Sequence, residues 1–400
     1  MGSNVSKEDI RDNFLVEGYV SKKYESVRDL FEEGFKAGRE QSAQLCVYVG
    51  DEMVVNLWHS ISNPAYTKDT LTNIFSSSKN MTSVAMAMLH DKGLLHYDAK
   101  IVEYWPEFSG DGKEGITVAD LLRHNAGLLT FQWSLRVQTF GEMYEEALPR
   151  FPYKGKREYH GLTRAFLANE LFRKIEPSGR TIGEFLMREF SSTLSVRVFI
   201  GITDDEIDDY EPVVNSGLIS ASRTAFATLP YLSWPALVKE LVWSSVPFKI
   251  AGQAVTPLVV NEEQLRRAEL PSACANASAE GLAKVAAFLA NQGNLDGEEM
   301  MSKGTWKMMH AGVTDSVLMR DEATTHFSQG GVSRYQSEDF FCCGRDGFWC
   351  WMGYGDSVFQ WHPELRIGFA YIPSRLEWSD LTNGRGGLLQ EEVVNCVKRK

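Results

Sequence analysis

The sequence predicts an α+β fold, an antiparallel sheet flanked by terminal helices with an inserted all-helical subdomain. Three observations carry that expectation. Strand-like runs lie near both ends of the chain, at 43–49 and 53–58 and again at 348–352, 357–362 and 367–372. Most of the stretch between them repeats its apolar residues at helical spacing. Helical patterns also stand near each end, from about Tyr24 to Gly38 and from about Leu388 to Val397. A sheet fed from both ends is one unit with an insertion. We therefore expect an N-terminal tail over 1–23 and a single domain over 24–400, its sheet part at about 24–75 and 270–400 and its helical part at about 76–269.

In chain order, Val27, Leu30, Phe31 and Phe35 mark the first amphipathic helix. Gly50-Asp51-Glu52 then separates two strands as a hairpin turn. Met81, Val84, Ala85, Met88 and Leu89 have the i, i+3, i+4, i+7, i+8 spacing of a helix with one buried face, stopped at Asp91-Lys92-Gly93. Thr117 to Leu128 reads as a short capped helix ending in a turn, Leu162 to Phe190 as largely helical, and Ser278 to Asn291 as a helix terminated by Gly293-Asn294. Gly and Pro punctuate the region from about Val213 to Pro257.

Composition narrows the function. The chain has 400 residues, 44% of them hydrophobic, enough for a large core, and a formal net charge of −12. That charge, with no Lys/Arg cluster beyond Lys398-Arg399-Lys400, argues against a nucleic-acid partner. The six cysteines lack Cys-x-x-Cys spacing and read as reduced core residues of a cytoplasmic protein. The eight histidines lack metal-ligand spacing, and no phosphate loop or Gly-x-Ser-x-Gly elbow occurs, so no metal and no cofactor is expected. No apolar run is long enough to span a bilayer. Met1 to Ser6 fits the N-myristoylation pattern at Gly2, with a chance match or an expression scar as the alternative. Acylation there would give only weak peripheral membrane association, because Glu8 and Asp9 stand where a basic patch would be needed. Oligomeric state is not legible.

The chemistry-bearing stretch is Phe75-Ser76-Ser77-Ser78-Lys79. Three residues apart at a helix start, Ser76 and Lys79 share one face, which puts a base beside a weak alcohol. The helix N-terminus favours a neutral amine. Ser-x-x-Lys alone is weak, since roughly one or two chance matches are expected in a chain of this length. Ser76 as a simple cap and Lys79 as a solvated residue would suit any helix. The company they keep is what argues for more.

Taken with Asp120-Leu121-Leu122-Arg123-His124-Asn125-Ala126-Gly127-Leu128 and Tyr159-His160-Gly161-Leu162-Thr163, the order of segments resembles the serine β-lactamase and penicillin-binding-protein superfamily, closest to its class C-like branch with esterases and eukaryotic β-lactamase-related proteins. The similarity runs from about residue 24 to the C-terminus. It implies a β-lactamase/transpeptidase-like fold with the site between sheet and helical part, Ser76 as nucleophile, Lys79 as base and Tyr159 as the tyrosine that shares proton transfer. Tyr24, Tyr231 and Tyr335 match the Tyr-x-Ser form of the family motif better, but their order along the chain is wrong. Gly161 stands where β-lactamases carry an amide-binding Asn or Ser. A hydrogen bond from His160 to Tyr159 is disfavoured, because neighbours in an extended segment point opposite ways. His124 is read as a structural residue fixing its turn.

The third family motif, Lys-Thr-Gly or His-x-Gly, is replaced by Trp351-Met352-Gly353. Losing the cation removes charge-assisted bonds to a substrate carboxylate worth about 1.5 to 3 kcal/mol, and an indole favours apolar acyl groups, unless Trp351 is merely core. The resemblance places the oxyanion hole at the backbone N–H groups of Ser76 and Tyr354. The expected activity is that of a serine hydrolase making an acyl-enzyme on small apolar esters. Hydrolysis of β-lactams or peptide amides by the same residues is the alternative, and an inactive binding or scaffold protein is the alternative of another class.

Overall fold

A computed structural model describes residues 15–128, 157–215, 248–250, 253–255, 257–318, 323–339, 342, 344–377 and 384–399. Gly2, Tyr231, Cys343 and most of the Gly- and Pro-punctuated stretch lie outside them.

The main elements are β1 (Glu17–Val20), α1 (Glu25–Lys36), β2 (Ser42–Val49), β3 (Glu52–Ser60), α2 (Ser78–Asp91), α3 (Val118–Leu122), α4 (Thr163–Ile175), α5 (Ile182–Thr193), α6 (Ala279–Ala290), α7 (Lys303–His310), β4 (Val358–His362), β5 (Ile367–Pro373) and α8 (Arg385–Lys398). Five strands form one sheet in the order β1-β3-β2-β5-β4, antiparallel at every pairing. β1 falls inside the stretch expected to be tail, where Glu17 to Val20 pair with Trp58 to Val55.

Strands β2 and β5 are buried on both faces, and their side chains alternate as the period of a strand requires. Leu45, Val47, Phe369 and Tyr371 point into the core shared with α1 and α8, whereas Cys46, Tyr48, Ala370 and Ile372 point into the core shared with α2 and α6. Helix α6 can lie directly on β5 because Gly368 faces it: a Cβ there would sit 2.3 Å from the Ala287 nitrogen. Ser278 caps α6 by accepting from the Gly281 N–H.

Helix α2 differs from the expectation of one buried face. Every residue from Ser78 to Leu89 is buried, because α4, α5 and α7 pack around it. Its buried polar side chains other than Thr82 are consequently paired inside the protein. Asn80 donates to the carbonyls of Trp351 and Phe359 at 2.9 and 3.1 Å, and the Ser78 hydroxyl accepts from the Ala275 N–H at 3.1 Å.

The helical stretch 162–190 resolves into α4 and α5. Pro177 follows the end of α4, and Thr181 with Glu184 forms a capping box at the start of α5. Val198–Ile200, within the part expected to be helical, pairs with Ala275–Ala277, which also pairs with Thr72–Asn73 just before α2. The expected strand 348–352 is not formed. Only Trp349 pairs, with Arg334 and Trp361, because Cys350 at φ +98° turns the chain out of the ladder. Trp349 therefore packs with one core and Trp351 with the other, rather than on a common strand face.

Among the described residues no helix is long and apolar enough to cross a membrane, and no group of His, Cys, Asp and Glu could hold a metal ion. The five described cysteines are buried.

Candidate active site

Ser76 sits in a 3₁₀ turn, Phe75–Ser77, that leads into α2. It is the single residue between Thr70 and Leu89 that is not buried. Phe75, immediately before it, is held at φ +46°, a conformation that costs a non-glycine residue about 1–3 kcal/mol and persists only where packing imposes it. The Phe75 ring packs edge-on against Tyr354, with centroids 5.6 Å apart.

Lys79 is fully buried one turn later, and its Nζ donates to Ser76 Oγ at 3.1 Å and to the Ser272 carbonyl at 2.8 Å. Burial, and secondly the positive charge of Arg164, push its pKa well below that of a solvated lysine. The amine is thus available as a proton acceptor. Helix-terminus electrostatics, the cause expected from sequence, give way here to desolvation.

Tyr159 places its ring under the same amine, with Nζ 5.0 Å from the centroid. Its hydroxyl is buried and closes no hydrogen bond among the described residues. Burial raises its pKa to about 12, while the nearby Ser76 hydroxyl, Arg164 and Trp351 hold the rise down. The segment is fixed from His124, which stands at φ +66°. The Glu158 N–H donates to the His124 carbonyl at 3.3 Å, the His160 N–H donates to His124 Nδ1 at 3.0 Å, and the His124 ring lies 4.9 Å from that of Tyr159. The His160 ring bonds elsewhere, to the Glu158 carbonyl and the Leu128 N–H, so it does not reach Tyr159. Desolvation holds both histidines below the usual range, His160 at about 4.

Trp351 is 6% exposed. Its ring lies 5.7 Å from Tyr159 and 5.6 Å from Phe327, so it backs the tyrosine more than it offers an open platform. Gly353 and Tyr354 belong to a turn laced to that of Ser76. The Gly353 N–H donates to the Ser357 carbonyl at 2.8 Å, and the Ser357 hydroxyl donates to the Ile74 carbonyl at 2.6 Å.

Ser76, Lys79, Tyr159 and Trp351 thus converge, with the Gly353-Tyr354 turn beside them. Sequence reasoning missed Ser272, which anchors Lys79, and Arg164, which lies buried behind it. Arg164 had a readable signal. It stands at i with Ala168 and Leu171 at i+4 and i+7, a cation on the apolar face of its helix.

Known proteins resemble this chain over most of its length. Residues 27–391 match the family profile described as Beta-lactamase. The chain is 26% identical over 301 residues to the esterase/beta-lactamase LipL of Mycobacterium tuberculosis, a match covering 72% of this chain and 67% of LipL. EstA from Arthrobacter nitroguajacolicus Rue61a superposes with a TM-score of 0.74 at 26% identity, covering 95% of this chain and 98% of that one. A family VIII carboxylesterase shares the fold, with a TM-score of 0.79 at 23% identity and coverages of 95% and 99%.

Proposed function

This chain belongs to the beta-lactamase family and is a hydrolase, and on that premise we propose that it is a serine carboxylesterase that forms an acyl-enzyme on Ser76. The observation that carries this reading is the 3.1 Å contact between Ser76 Oγ and a buried amine whose protonation is disfavoured. Lys79 takes the Ser76 proton, directly or through Tyr159, as Oγ attacks the ester carbonyl. The N–H groups of Ser76 and Tyr354 hold the oxyanion. Tyr159 delivers the proton to the departing alcohol, and water then attacks the acyl group, releasing the acid and restoring Ser76.

Apolar esters are favoured over β-lactams because Trp351 replaces the cation that would bind a substrate carboxylate, and Gly161 brings no amide group. LipL, described as an esterase/beta-lactamase, supports an esterase assignment. A cytoplasmic site of action remains part of this reading, with peripheral membrane association only if Gly2 is acylated.

A fluorophosphonate probe tests it. The wild type is expected to be labelled at Ser76 and Ser76→Ala to remain unlabelled. Equal labelling of both, or none of the wild type, would leave the chain a binding protein. Hydrolysis of p-nitrophenyl acetate should exceed that of nitrocefin, and the reverse order would make it a β-lactamase.

A further inference from the structure

Arg164 carries a charge that no described carboxylate answers. It lies on the first turn of α4, 1% exposed. Its Nη2 donates to Ser83 Oγ at 2.7 Å and to the Gly331 carbonyl at 3.3 Å, while Nε has no partner among the described residues. The titratable groups that favour its charge are Tyr159 and Cys350, and burial keeps both un-ionised at neutral pH. A buried guanidinium without an anion is costly to keep.

Its surroundings tie it to Lys79. Ser83 lies one helical turn beyond Lys79 on α2, so both side chains share a face. Ser272 joins the two helices, its hydroxyl accepting from the Ala165 N–H at 3.2 Å while its carbonyl accepts from Lys79 Nζ at 2.8 Å. The groups facing Lys79 are Ser76 and Tyr159, His124, which is held neutral, Cys274, whose thiol burial raises to about 12, and Arg164. None of them is an anion at neutral pH.

We infer that Arg164 is a positioning residue of the reaction: its charge, which no described carboxylate answers, keeps the neighbouring Lys79 amine unprotonated, so that the base is ready at neutral pH. Two buried cations linked through Ser83 and Ser272 disfavour each other's charge when no anion lies between them. The guanidinium has the far higher proton affinity and keeps its charge, so the amine yields. Arg164 is too deeply buried to touch substrate and acts only through Lys79. The inference rests on the reading of Lys79 as the base.

The test is the pH dependence of fluorophosphonate acylation. Arg164→Gln, which keeps hydrogen-bonding capacity but no charge, should move the acid limb upward by about one pH unit or more, cutting the rate about tenfold at pH values below both limbs while leaving the alkaline plateau near that of the wild type. Arg164→Lys should restore the wild-type limb. Ser83→Asp, which answers the charge without removing it, should move the limb the same way as Arg164→Gln and decides the matter if that variant does not fold. An unshifted limb in Arg164→Gln or Ser83→Asp, or a loss that is equal at every pH and not rescued by lysine, would overturn the inference while leaving the labelling of Ser76 intact. Failure of the wild type to label would instead remove the hydrolase reading beneath it.

Discussion

Ser77 donates its hydroxyl to the Ser357 carbonyl at 2.8 Å, which locks the Ser76 turn to the turn that follows Gly353. Glycine is required at the joint. A Cβ on residue 353 would meet Ser357 Oγ at 1.9 Å and the Ile74 carbonyl at 2.4 Å. Gly353→Ala should therefore lower stability by about 1–3 kcal/mol through overpacking. It should also cut the acylation rate more than tenfold by moving the Tyr354 N–H relative to Ser76, with the effect in kcat rather than KM. Thermal melting and steady-state kinetics check the two parts separately.

Tyr159→Phe separates chemistry from folding. The hydroxyl it removes is buried without a described hydrogen-bond partner, so its loss should leave stability unchanged or slightly higher. Turnover should nonetheless fall by about 10²- to 10⁴-fold, the usual span for a proton-transfer group. A melting temperature that falls along with activity would show that the hydroxyl serves the fold.

Lys79 gives stability a pH dependence of definite sign. Its folded pKa is lowered by burial and by Arg164, so in the window between that value and the unfolded value of about 10.4 the unfolded chain binds the extra proton. Stability from this group is lowest below the folded pKa and rises with pH across the window. Lys79→Met, similar in volume and uncharged, should be more stable than the wild type near neutrality, and its advantage should shrink as the pH approaches 10.4. Urea unfolding at several pH values measures it. An advantage that does not change with pH would mean that Lys79 stays charged in the fold.

Behind the Gly353 turn, Arg345 and Asp356 pair at 2.9 Å with both side chains inaccessible. Asp356 also accepts from the Gly386 N–H, which fastens the turn to α8. Arg345→Met would strand that carboxylate and should cost about 3–5 kcal/mol, read as a lowered denaturation midpoint with an unchanged slope.

Legibility followed the range of the cause. The β2–β3 hairpin, the capped start of α6 and the α1 and α8 helices were readable because periodicity and caps act within a few residues. The far face of α2 was not, since Asn80, Thr82 and Ser83 read as solvent-facing until other helices cover them. The segment 348–352 alternates like a strand, and only the left-handed Cys350 shows that it cannot continue as one. At the site, Ser76, Lys79 and Tyr159 came from segment order. The hold of His124 on both neighbours of Tyr159, and that of Ser272 on Lys79, are contacts across 34, 36 and 193 positions that no local pattern announces.

The enclosure of α2 from Ser78 to Leu89 sets how this protein should fail. Amides of a helix with no solvent-facing side exchange with deuterium only when the whole structure opens. Helix α2 begins at Ser78, two residues after Ser76, so Ser76 is coupled to the slowest-exchanging part of the molecule. Heat should therefore extinguish activity in step with global unfolding, without an earlier phase in which the fold persists and the serine is already misplaced.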